Sequence, residues 1–325
     1  PTRNPGLTTD VSLLATLNSL LKMHRSILSV PGHIAKMHAK AAASNADVVM
    51  LDLEDSVPLA EKENARLTVI NSVNSLDWGG KLLSIRINQP GNRFAYRDII
   101  EIISKCAERL SSVVIPKVST PADIHFVERL LESLEDEHGI TNRLSLEPSI
   151  EDPLGLENVS EIAGASKRNI SLVFGIADFS SAIGAKFYSI SGHGENEDFY
   201  PGHRWHYVLS RMVVAAKARD LMVIDAPYGN FKDPARLKRS AELAAALGVD
   251  GKWAIHPDQI EIIKEVFSPS QEEIERAKRV IDAHEKAQKE GKGAVELDGR
   301  MIDSATIRLA RTTLGKVSEK DADTS

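Results

Sequence analysis

Residues 46–58 read ADVVMLDLEDSVP. Within it VVMLDLE, residues 48–54, is a short, nearly continuous apolar run closed by a polar and proline-containing turn. That is the pattern of a strand buried on both faces, as in parallel sheets. Seven runs of the same kind flank it: SILSV (26–30), LLSIRIN (82–88), SVVIPK (112–117), LSLEPSIE (144–151), SLVFGIAD (171–178), MVIDAP (222–227) and KWAIHP (252–257). Between them lie segments with apolar residues at three- and four-residue spacing, such as IAKMHAKAAAS, DIIEIISKCAERL, ADIHFVERLLESLEDEH, WHYVLSRMVVAAKARD and PARLKRSAELAAAL, which predict amphipathic helices. Strand and helix in alternation imply a parallel α/β sheet, and eight units favour closure into a (β/α)8 TIM barrel. No G-x-G-x-x-G follows the first strand, so an open dinucleotide-binding sheet lacks its signature.

The chain of 325 residues, with 42% hydrophobic and 26% charged residues, is long enough for one large core and a short appendage. We expect an N-terminal extension over 1–24, a barrel over 25–268, and a C-terminal helical arm or lid over 269–325. The arm reads as two helices, SQEEIERAKRVIDAHEKAQKEG and SATIRLARTTLG, joined by the turn-rich GKGAVELDGRMID. The net charge of −6 argues against a nucleic-acid surface. VSLLATLNSLL (11–21) is interrupted by Asn18 and too short to span a bilayer, so a cytoplasmic protein with no membrane segment is expected. The single cysteine, Cys106, falls in an amphipathic helical run and reads as a packing residue.

In a barrel of this kind the strand carboxyl ends form the reactive mouth. Here those ends carry Glu54 and Asp55, Arg86 and Asn88, Lys117, Glu151 and Asp152, Asp178, Asp225 and His256. Any one of them reads equally well as a helix cap or a solvated rim residue. Together, so many acids would repel one another unless a divalent cation or the cations Arg86 and Lys117 offset the charge. The available ligands are carboxylate oxygens, which suits magnesium better than zinc, and manganese accepts the same ligands. Glu151 and Asp178 are expected as direct ligands, with Glu54 and Asp55 behind them holding metal-bound water.

The segments RSILSVPG, ADVVMLDLEDSVP, LSIRIN, VVIPKV, IEDPLG, FGIADF and WAIHP, in this order, resemble the citrate lyase β-chain and malyl-CoA lyase family of barrel aldolases. The long segment GAKFYSISGHGENEDFYPGHRWHYVLSRMVVAA between the sixth and seventh strands, with GKWAIHP and LDGRMID, is similar to the malyl-CoA lyase branch. The resemblance implies a carbon–carbon lyase acting on a coenzyme A thioester and a small 2-oxo acid. It matches Glu151 and Asp178 to the family's magnesium ligands, although Asp152 stands where Thr or Ser is usual. Arg86 matches the arginine that binds the keto-acid or thioester oxygen. Asp303 matches an acid delivered by the arm of an adjacent subunit, implying a homo-oligomer, trimer or hexamer, with a shared site. By residue pattern alone Asp303 is an ordinary N-cap of the last helix. The coenzyme is expected near the first strand, its phosphates held by Arg25 and by Lys36 and Lys40 on one helical face.

The implied reaction is magnesium-dependent, reversible cleavage of malyl-CoA or methylmalyl-CoA to glyoxylate and acetyl-CoA or propionyl-CoA. Citramalyl-CoA cleavage, a malate synthase that hydrolyses the thioester, and a citrate lyase β-like protein are the alternatives within the family. A metal-dependent aldolase for free 2-oxo acids and a non-catalytic binding protein lie further off.

Overall fold

All eight apolar runs are strands in the computed structural model, which describes residues 24–185, 204–289 and 295–317. They are β1 (Ser26–Pro31), β2 (Val48–Asp52), β3 (Leu82–Arg86), β4 (Ser112–Ile115), β5 (Ser145–Ile150), β6 (Ser171–Phe174), β7 (Met222–Asp225) and β8 (Gly251–Ala254). Each pairs in parallel with its sequence neighbours, and β8 returns to β1, so the barrel closes as expected. Closure leaves the barrel no open edge strand.

Side-chain alternation then sorts each strand between two environments. Val49 and Leu51 of β2 and Leu53 just past it are fully buried in one cluster with Ala65, Val69 and Val73 of the helix Lys62–Ser75. Burying such side chains contributes roughly 1.5–3 kcal/mol each. The opposite parity carries Val48, Met50 and Asp52, and Asp52 lies beside Arg86 of β3 in the ladder. The helices start and stop where their sequences dictate. Pro121–His138 begins in a capping box between Thr120 and Asp123 with proline in its first turn, and ends at the left-handed Gly139.

Two corrections concern local structure. The sixth strand does not run through Asp178 but stops at Phe174. After Gly175 the chain turns into a helix, Ile176–Ala182, with Asp178 in its first turn. The link within the arm is a β-hairpin, not an irregular turn: Val295–Leu297 pairs antiparallel with Arg300–Ile302. Asp298 and Gly299 both take positive φ (53° and 74°) between the strands, the geometry that the Asp-Gly pair favours.

Residues 24–267 and the segment from Ser268 onward fall into separate compact units. Within the second, the helices Gln271–Lys289 and Ser304–Gly315 pack through Ala277, Val280, Ile307 and Ala310, joined by Ile302 of the hairpin. The apolar run at 11–21 and most of the long insert after the sixth strand lie outside the described residues. Among the described residues no helix is long and apolar enough to cross a membrane.

Candidate active site

The carboxyl ends of β2, β3, β4 and β5 and the turn after β6 bring one set of charged side chains together. Arg86 ends β3, and its Nε and Nη2 each donate to Asp52 at 2.7 Å, a bidentate clamp across neighbouring strands. Its Nη1 lies 3.1 Å from Glu54 Oε2, and Trp253 of β8 covers the guanidinium, 5.4 Å from ring centroid to Cζ. Burial alone would raise the Asp52 carboxyl, yet Arg86 outweighs it and holds the group below the usual carboxylate range. Asp52, which holds Arg86 at the mouth, is a residue that reading strand ends alone missed. The sequence signal was its alternation with Met50 on β2, while the register that sets it beside Arg86 is seen only in the structure.

Lys117 follows β4 in a left-handed backbone conformation, φ 52°. Its ammonium donates to Glu54 at 2.8 Å and to Asp55 at 3.0 Å, and lies 3.7 Å from Asp178 Oδ2. Burial pulls its proton affinity down, but the bonds with Glu54 and Asp55 drive it up on balance. Glu54 is itself raised, first by burial and then by Asp55, against the pull of Arg86 and Lys117. Glu54 and Asp55 are thus engaged by Arg86 and Lys117.

Glu151, just past β5, is 3% exposed and its Oε1 has no hydrogen-bond partner. Burial and then the neighbouring Glu54 push its carboxyl up to about 8, Asp178 adding to the effect while Arg86 and Lys117 oppose it. Gly175 makes the position possible: a Cβ there would meet Glu151 Cγ at 2.3 Å and Cδ at 2.6 Å. Asp178 reaches the same neighbourhood from its helix with a side chain 44% exposed. A buried carboxylate with an orphaned oxygen beside a second, solvated one fits a hard divalent cation, which takes oxygen donors. Among the described residues no group of three or more acids, histidines or cysteines forms a ready cage. Glu151 and Asp178 would be the residues to hold such an ion, which would leave its other positions to water and substrate oxygens, as magnesium commonly does.

Other expected residues fall elsewhere. Arg25 is a correction. It precedes β1, so it stands at the amino-terminal end of the barrel, opposite the mouth. There Nε donates to Asp47 at 3.0 Å and the backbone carbonyl accepts from Lys252. Lys36 and Lys40 are exposed on the helix Ala35–Ala42 that follows β1, so that helix runs away from the mouth with Lys36 nearer to it. Asp152 caps the helix Pro153–Glu157 and accepts from the Ser119 hydroxyl. Asp225 forms a fully buried pair with Lys252. His256 caps its own turn and stacks on Phe231 at 4.5 Å, and Trp205 packs with Phe174 and Phe179, all three being packing or capping roles. Cys106 is buried and its thiol pushed up to about 12 by burial. Asp303 caps Ser304–Gly315, accepting from the Thr306 amide and hydroxyl at 2.8 Å each, and is exposed. Those bonds hold its carboxyl below the usual range.

A closed parallel barrel with carboxylates, arginine and lysine at one mouth is the arrangement of a barrel enzyme, its polar site at the strand carboxyl ends. The chain belongs to the HpcH/HpaI aldolase/citrate lyase family, whose model matches residues 25–257, and it is accordingly a carbon–carbon lyase. It is 39% identical over 88% of its length to an L-malyl-CoA/beta-methylmalyl-CoA lyase of Cereibacter sphaeroides, covering 92% of that protein. It is 34% identical over 93% of its length to a malyl-CoA/beta-methylmalyl-CoA/citramalyl-CoA lyase of Chloroflexus aurantiacus, covering 91% of it. Among solved structures it resembles CitE of Mycobacterium tuberculosis in complex with magnesium, acetoacetate and coenzyme A. That match has a TM-score of 0.70 and 28% identity, over 91% of this chain and 98% of that one.

Proposed function

We propose that this chain catalyses the reversible, magnesium-dependent cleavage of L-malyl-CoA, or its β-methyl relative, to glyoxylate and acetyl-CoA or propionyl-CoA. The observation that carries the reading is the meeting of buried Glu151, solvated Asp178 and clamped Arg86 at one barrel mouth. The names of the relatives supply the substrate class.

In this reading Glu151 and Asp178 hold the ion, with manganese an acceptable substitute. When bound, it supplies Lewis-acid charge toward the oxygens of the 2-oxo acid half. Arg86 does the complementary work. With Nε and one Nη2 proton committed to Asp52 and Nη1 paired with Glu54, it turns the Nη protons left over toward the thioester oxygen, where negative charge builds as the carbon–carbon bond breaks. Asp52 and Trp253 fix the guanidinium, so the charge is stabilised without reorganisation. Glu54 and Asp55, tied to Lys117, brace the wall beside the ligands.

On cleavage a base takes the β-hydroxyl proton as the carbonyl forms, and Asp303, brought in by the arm of an adjacent subunit, gives a proton to the methyl carbon; on condensation both transfers run in reverse. Its cap bonds must loosen and the carboxylate must lose water for it to gain basicity. Lys36 and Lys40 hold coenzyme phosphates as point charges. The protein works as a cytoplasmic homo-oligomer, a trimer or hexamer.

The test is a magnesium-supplemented cleavage assay on malyl-CoA, methylmalyl-CoA and citramalyl-CoA in parallel. Malyl-CoA or methylmalyl-CoA should yield glyoxylate with the thioester intact. Release of free coenzyme A and malate from acetyl-CoA and glyoxylate would instead mark a synthase, and turnover of citramalyl-CoA alone would overturn the substrate assignment.

A further inference from the structure

Lys117 is held in a way that its strand position does not require. A lysine in the left-handed region is sterically disfavoured, and such residues persist only where their surroundings over-determine them. Its φ of 52° aims one ammonium across the mouth. The ammonium lies 2.8 Å from Glu54 and 3.0 Å from Asp55, both on the turn after β2, and 3.7 Å from Asp178 in the helix after β6. A side chain from the β4 end thus links acidic segments on either side of it. Arg86 is occupied by Asp52 and Glu54, and among the described residues Lys117 is the cation whose ion pair reaches Asp178.

We propose that Lys117 is a resident counter-ion for the metal site. In the metal-free protein its ammonium holds the Glu54–Asp55 turn and Asp178 together, and it competes with the divalent cation for Asp178. The ion is thereby held more weakly than the carboxylates alone would hold it. This rests on the reading of Glu151 and Asp178 as ligands, and it makes Lys117 a positioning residue that sets metal affinity. A positive charge 3.7 Å from a ligand oxygen weighs on a divalent ion by a factor on the order of ten even at the dielectric of water.

The experiment is titration calorimetry of the full chain with magnesium chloride alone, at two ionic strengths, together with melting temperatures with and without the metal. Lys117→Met should bind magnesium about tenfold more tightly than the wild type at low salt, the gain shrinking as salt rises. Its metal-free form should melt lower, and magnesium should raise that melting temperature by more than it does in the wild type. Lys117→Arg should behave as the wild type. Lys117→Gly removes the ammonium and also relieves the left-handed backbone, so it tests the charge even if the methionine variant does not fold. Equal or weaker magnesium binding in the folded neutral variants overturns the inference. If Glu151→Gln abolishes binding while the neutral variants bind no more tightly than the wild type, only this inference fails. If Glu151→Gln binds as the wild type does, the reading of the metal site fails with it.

Discussion

Replacing Gly175 by alanine tests the site through a residue that carries no functional group. Its backbone, at φ −97°, is open to any residue, so the effect is purely steric. The added methyl would sit 2.3 Å from Glu151 Cγ, 2.6 Å from Cδ and 2.9 Å from Oε2. Glu151 is 3% exposed and cannot step into solvent, so the carboxylate must move or the turn must shift. Overpacking of this kind costs roughly 1–3 kcal/mol, which for a barrel of this size lowers the melting temperature by about 2–4 °C per kcal/mol. The larger consequence is for chemistry, since displacing a ligand by about 1 Å costs on the order of a hundredfold in rate. Differential scanning calorimetry, circular dichroism and a magnesium-dependent cleavage assay read the two effects. A folded Gly175→Ala protein with wild-type magnesium response and turnover would refute the reasoning.

Arg86→Lys keeps the charge but loses the fork that grips Asp52, so kcat should fall ~10²–10³-fold with a smaller change in KM. An effect on KM alone would assign Arg86 to binding. Asp303→Asn keeps a good cap for the last helix but carries no acid. The protein should stay within about 0.5 kcal/mol of the wild type in stability, about 1–2 °C in melting temperature, because the cap is retained, yet lose ~10²–10⁴-fold in activity and in exchange of acetyl-CoA methyl protons with solvent deuterium. The Asp52 carboxyl is lowered in the folded protein, so it contributes stability above the ordinary carboxylate range, and that contribution is lost as pH falls through the folded value. Acid unfolding of the metal-free protein should therefore steepen below about pH 4, and Asp52→Asn should be less stable at neutral pH with a flatter acid limb.

Much of the barrel was legible because strands buried on both faces leave uninterrupted apolar runs, and all eight appear. The sixth run misled because GIAD continues the apolar pattern, while Gly175 leaves room for Glu151 and the chain turns to helix there. Arg25 was assigned to the coenzyme by its nearness to β1 in sequence, but a residue that precedes a parallel strand lies at the end opposite the mouth, as chain direction alone implies. Asp52 was legible in principle from alternation with Met50. The three-way contact of Lys117 was not, because it joins positions 54, 55, 117 and 178 through backbone geometry that no local pattern encodes. The hairpin in the arm was read only as a turn-rich link, although Asp298-Gly299 is a pair that favours such a turn.

The most direct measurement is the anomalous scattering of crystals soaked with manganese. A single peak within about 2.5 Å of carboxylate oxygens of both Glu151 and Asp178, on the side facing Arg86, is the predicted result. A peak that touches neither carboxylate, or an ordered mouth with no peak at saturating manganese, would contradict the account.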